Sequence, residues 1–271
     1  MKDQPPEPPF GQLTVGASPG YAAAHGARRR ARLSPLTVIG ELLLVSGLAV
    51  LGFFAWQTVN TQFVVPGKQQ QLAAEQSSQW QARAEPGKKW NGKVPVTEKH
   101  PAGEIFAVLY VPAMGENYAY RVAEGTDRAT VLDAAEKGVG HYDRTALPGA
   151  RGNLALAAHR SGPWITPFRE VMELRVGDPL YLETEDGWYT YRFRSLEYVL
   201  PEETDVLDPF PRLQGEAGKD RIMTLTTCHP KQDGTVERAI AYAVFDSFQP
   251  RSYGPPEALA AVDSNVAKRG A

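Results

Sequence analysis

The stretch Ile222-Met223-Thr224-Leu225-Thr226-Thr227-Cys228 is apolar and β-branched, and it stops abruptly at His229-Pro230. Such side chains suit a pleated surface, and proline cannot donate to a central ladder. The run therefore reads as a strand that ends at its cysteine. Downstream, RAIAYAVF (238–245) has the same texture, and a loop of about nine residues makes the two a hairpin. Upstream lie IFAVLYV (105–111), NLALAAH (153–159), PLYLET (179–184) and WYTYRFRSLEYVL (188–200). Turn signals at Pro148-Gly149, Gly162-Pro163, Gly177-Asp178, Asp186-Gly187 and Asp233-Gly234 separate them, and Asp186-Gly187 predicts a tight hairpin. Two helices are expected, over 165–174 and over 129–138, the latter capped by Thr126 or Asp127 and ended by Gly138. Many short strands, few helices and no βαβ rhythm predict an all-β fold, a closed or nearly closed barrel, over residues 100–250.

Outside that domain the texture changes. Residues 1–34 are rich in Pro, Gly, Ala and Arg and read as a disordered N-terminus ending in Arg28, Arg29, Arg30 and Arg32. Residues 35–56 form 22 nearly uncharged positions, broken only by Glu41. As a helix they span about 33 Å, enough for a bilayer core. Four arginines before the segment, with Lys68 the first basic residue after it, put the N-terminus in the cytoplasm and residue 57 onward outside. No small-x-small cleavage site follows, so the segment reads as an uncleaved signal-anchor. Residues 57–99, Gln-rich with scattered prolines, read as a stalk containing a short helix in LAAEQSSQWQARAE. Trp80 and Trp90 are unusual in a linker and suggest docking on the domain or the membrane. Residues 251–271 read as a polar tail. The net charge of −2 gives no reason to expect nucleic acid.

Cys228 is the sole cysteine, so no intramolecular disulfide forms. A strand end beside a loop gives a nucleophile a rigid base and an open side. Only the thiolate attacks well, so a proton partner and a positive charge are needed nearby. The domain offers His100, His141, His159 and His229. His159 ends its strand, and alternation puts it on the face of the small Ala155 and Ala157. Arg238 opens the strand after the cysteine. Three strand ends thereby offer to bring His159, Cys228 and Arg238 together, though spacing alone does not establish it.

TLTTC (224–228) resembles the TLxTC signature of sortases, and GVGHYDRTALPGARGNLALAAHR (138–160) resembles the segment leading to the sortase histidine. The order of histidine, TLxTC and a following arginine is also the sortase order. The likeness is greatest to class E, the actinobacterial housekeeping type, with class D next, and it covers roughly residues 102–250. Ala158 departs from the usual glycine but removes no catalytic group. The resemblance implies a sortase-like barrel of about eight strands. It implies Cys228 as nucleophile at a Thr–Gly bond, His159 as acid and base, and Arg238 as oxyanion or substrate stabiliser. The clients would be secreted proteins with an LAxTG- or LPxTG-type signal, and the acceptor a peptidoglycan precursor amine. Thr227 and His141 are expected near the substrate, which would dock beside the 201–220 loop. No metal or organic cofactor is expected; Glu202, Glu203, Asp205 and Asp208 read as solvated acids in preference to a calcium site. The competing readings are a hydrolytic cysteine peptidase and a membrane-tethered, non-catalytic scaffold on the same barrel.

Overall fold

The computed structural model describes residues 34–84, 90–162, 165–213, 215, 218–232 and 236–270. The stretch 1–34, apart from Ser34, lies outside them, as do Pro163, Asp233 and Gly234 of two expected turns. The chain divides into two units, 1–49 and 50–271. Helix α1 (Pro35–Val59) is the one helix among the described residues long and apolar enough to cross a membrane. A π-helical turn over Asn60–Val64 and helix α2 (Val65–Arg83) follow it.

Eight strands close the barrel: β1 (Ile105–Tyr110), β2 (Ala119–Glu124), β3 (Val139–His141), β4 (Gly152–Ala158), β5 (Pro179–Glu183), β6 (Gly187–Val199), β7 (Arg221–His229) and β8 (Glu237–Pro250). Their order around it is β1-β2-β3-β4-β7-β8-β6-β5. Every strand read from the sequence is present. β2 and β3 are additional: AYRVAE mixes polarity, and three residues are too few to carry a period. The β5–β6 hairpin turns through Glu185-Asp186, just before Gly187, which has φ +147 and where a Cβ would run into the Gln249 carbonyl. The interior is filled by alternate residues such as Leu154, Leu156, Met223, Leu225, Tyr191 and Phe193.

Both expected helices are replaced by shorter turns. In 165–174, Pro167 interrupts any helical ladder. Phe168 and Val171 still bury themselves, but through turns and a 3-10 segment at Val171–Glu173. Over 129–138 there is one π-type turn, Arg128–Leu132, whose start is capped by Asp127 accepting from the Thr130 N–H at 2.9 Å.

α2 packs on the barrel. Gln69, Ala73, Ser77 and Trp80, spaced along one face, are buried. Trp80 joins Val108, Tyr110, Tyr181 and Trp188 of the barrel and Leu259 and Val266 of the C-terminal segment. That segment, expected as a polar tail, carries helices α3 (Glu257–Ala260) and α4 (Ser264–Gly270). The fully buried Glu183 accepts from Ser77 at 2.5 Å, Tyr110 at 2.7 Å and Arg251 at 2.9 Å, joining α2, β1 and the C-terminal segment through one carboxylate.

Candidate active site

β4 and β7 run parallel, with Ala157 opposite Thr226. Two residues further along each chain, His159 comes level with Cys228. The Thr227 hydroxyl donates to the Ala158 carbonyl at 2.7 Å, holding the two segments together just where regular pairing stops. β7 and β8 run antiparallel, and Cys228 stands opposite Arg238. The three residues thus lie side by side at the ends of three adjacent strands. All three line one groove of about 600 Å³.

The groove has an apolar floor of Val199, Val206 and Ile240 and is flanked by Leu200, Pro201 and Leu207. Tyr142 closes another side, its hydroxyl 3.1 Å from that of Thr226. Cys228 is partly exposed, as a thiol that must meet a substrate requires. His159 Nε2 lies 2.6 Å from Asp133 Oδ1. The guanidinium of Arg238 donates to the Glu237 carbonyl at 3.1 Å. The Cys228 thiol and the His159 imidazole line the same groove, and the imidazole's hydrogen bond goes to Asp133.

His141 and His229 have other partners. His141 is buried, with Nδ1 2.9 Å from Glu124 and Nε2 3.0 Å from the Thr145 hydroxyl and 3.1 Å from the Ala146 carbonyl. His141 is not among the residues that line the groove. Thr227 does line the groove, with its hydroxyl committed to Ala158. His229 accepts from Arg160 at 2.8 Å and lies 4.1 Å from the ring centroid of Tyr198. It is not among the residues that line the groove.

The loop beside the groove is tied by Arg212. Its guanidinium reaches Glu197 at 3.0 Å, Glu203 at 2.9 Å and Asp205 at 2.9 Å, while the Tyr242 hydroxyl donates to Glu197 at 2.6 Å. Hydrogen bonds to Glu197 and then Asp205 push the Arg212 guanidinium above its ordinary value. The Leu200 N–H, and then Arg212, hold the Glu203 carboxyl below its ordinary value. Two of the four loop acids that resemble cation ligands thus partner an internal guanidinium. Among the described residues no group of three or more His, Cys, Asp or Glu is arranged to hold a metal.

Asp133 was not foreseen from the sequence. It sits between Val131-Leu132 and Ala134-Ala135, and nothing in its spacing marks it.

Known proteins resemble this chain in sequence and fold. The sortase-domain profile matches residues 109–246. Sortase SrtE1 of Streptomyces coelicolor is 34% identical over 227 residues, a match covering 82% of this chain and 60% of that protein's length. Among solved structures, the SrtA sortase of Actinomyces oris is 35% identical with TM-score 0.57, covering 63% of this chain and 95% of that one. Sortase E from Streptomyces avermitilis is 38% identical with TM-score 0.52, covering 59% and 99%.

Proposed function

This chain belongs to the sortase family, and we propose that it is a membrane-anchored cysteine transpeptidase acting on sorting signals of the LAxTG or LPxTG type. The observation that carries the reading is the row of sulfur, imidazole and guanidinium in one groove, on neighbouring strand ends. The Cys228 thiolate attacks the threonyl carbonyl of the Thr–Gly bond. Arg238 stabilises the negative charge that develops on the carbonyl oxygen. His159 gives its proton to the departing glycyl nitrogen, the C–N bond breaks, and a thioester to Cys228 remains. An incoming amine then loses its proton to His159 as it attacks the thioester, and the sulfur leaves. The accepting amine belongs to a cell-wall precursor.

An extended peptide suits the groove, since its apolar floor runs away from Cys228 toward the 201–207 loop. Helix α1, with the arginines before it, supports a single-pass anchor with a cytoplasmic N-terminus and the barrel outside.

The test is product analysis after mixing the protein with LAxTG and LPxTG peptides and an excess of a short peptide amine. The expected product joins the amine to the threonyl carboxyl, and His159→Ala lowers its rate by about 10²-fold or more. If only the free acid accumulates at saturating amine, the chain is a peptidase and the transfer reading fails.

A further inference from the structure

Asp133 is the carboxylate that meets the imidazole of His159. Its Oδ1 stands 2.6 Å from Nε2, and both side chains are largely shielded, at 22% and 16% exposure. The N–H on Nε2 donates this bond, which makes Nε2 the protonated nitrogen of the neutral ring and leaves Nδ1 as the one that exchanges a proton with Cys228. Arg128, which also lines the groove, lies 3.6 Å from the other carboxylate oxygen.

The segment carrying Asp133 has little regular structure of its own, yet helix α2 grips it at several points. The buried Gln69 amide donates to the carbonyls of Ala135 at 2.6 Å and Lys137 at 3.2 Å, while its oxygen accepts from the Arg121 N–H of β2 at 3.3 Å. Lys68 pairs with Glu136 at 3.0 Å, and the Arg121 guanidinium donates to the Glu136 carbonyl. A fully buried amide in a helix whose other face is exposed is committed to this contact.

We propose that Asp133 is the positioning residue for His159, and that helix α2, through Gln69, holds Asp133 in place. This rests on the transpeptidase reading above. The helix that follows the membrane anchor is then part of what sets the geometry of the proton partner, as well as a spacer. Asp133 acts through His159 and touches no reacting atom.

The experiment uses the full chain in detergent micelles, with the signal peptide and peptide amine already described. Asp133→Asn keeps size and shape but replaces the acceptor carboxylate. It is expected to lower kcat by about 10-fold or more with KM within about two-fold of wild type. Gln69→Ala is expected to lower kcat in the same direction but less. The double variant should be no slower than Asp133→Asn alone, because the amide acts through the carboxylate. Circular dichroism checks that each variant is folded. Independently of any substrate, nitrogen-15 spectra of the neutral His159 ring should report the Nε2–H tautomer in wild type and a mixture in Asp133→Asn.

Wild type without turnover but with that tautomer change would sink the substrate reading and leave the positioning pair standing. Turnover in folded Asp133→Asn equal to wild type, or an unchanged tautomer, would overturn the role of Asp133. Equal kcat in folded Gln69→Ala, or losses that simply multiply in the double variant, would remove α2 from it.

Discussion

Trp80→Ala tests whether α2 is part of the folded enzyme or merely rests against it. The ring is 4% exposed and sits among Val108, Tyr110, Tyr181, Trp188, Leu259 and Val266. A tryptophan buries roughly 200 Å². At about 25 cal/mol per Å² that is about 5 kcal/mol, and a compact unfolded chain reduces it to about 3–4 kcal/mol. The Arg251 guanidinium, 5.5 Å from the ring centroid, adds a cation–π contact worth about 1 kcal/mol. Alanine keeps a little of the burial, and the helix can settle into part of the void, so the net cost is about 3–5 kcal/mol. For a folded part of roughly 200 residues this lowers Tm by roughly 10 °C. The assay is urea unfolding by far-UV circular dichroism on the chain from residue 57 onward, with the exposed Gln79→Ala on the same helix as control. The control should move by less than about 0.5 kcal/mol. A loss below about 1 kcal/mol for Trp80→Ala would show that burial in this structure overstates how firmly α2 is docked.

Other perturbations follow from the same geometry. Arg238→Lys should reduce kcat/KM by at least about 10-fold, because a point charge does not reproduce a planar fork beside the sulfur; near-wild-type kinetics would demote the guanidinium. Removing residues 1–56 should give a soluble, active enzyme by gel filtration and peptide turnover, whereas removing everything before residue 90 strips α2 from its apolar seat and should give aggregated or unfolded protein. Acidification should release the loop clamp. The Glu203 carboxyl is held below its ordinary value, so its contribution is present above the unfolded carboxylate pKa and is lost as pH falls through the folded one. Cleavage within residues 200–213 by an acid-active protease should therefore rise steeply below about pH 4, and an Arg212→Ala variant should be cleaved already near neutral pH; a pH-independent, uncleaved loop would contradict the clamp.

How much of this was legible depends on what local pattern encodes. β7 was readable because a β-branched run meets Pro230, and the β5–β6 hairpin because Asp186-Gly187 allows few other turns. Alternation also put Ala157 and His159 on the groove side, and the TLTTC and histidine segments named the family. What alternation cannot give is a strand's neighbour. The parallel pairing of β4 with β7, which brings His159 level with Cys228, joins segments some seventy residues apart with two strands between them. α2 was legible only in part, as a short helix with a docking Trp80, and its full extent from Val65 was not. Its buried face is Gln69, Ala73, Ser77 and Trp80, small or polar apart from the tryptophan, so a hydrophobic period is absent and the segment looks like a stalk. The helix expected at 165–174 failed because Phe168 and Val171 need burial, which turns supply as well as a helix, and Pro167 favours the turns. Asp133 is one carboxylate in a segment read as a helix, and only the folded chain shows what it faces.

The most direct check on the account is intact-mass analysis of the protein mixed with an LAxTG-type peptide in the absence of any amine. A mass gain equal to the peptide's acyl part, mapped by digestion to Cys228, released on adding amine and missing from Cys228→Ala, is the expected result. Cleavage of the peptide by Cys228→Ala at the wild-type rate, or an adduct carried by any other residue, would contradict it.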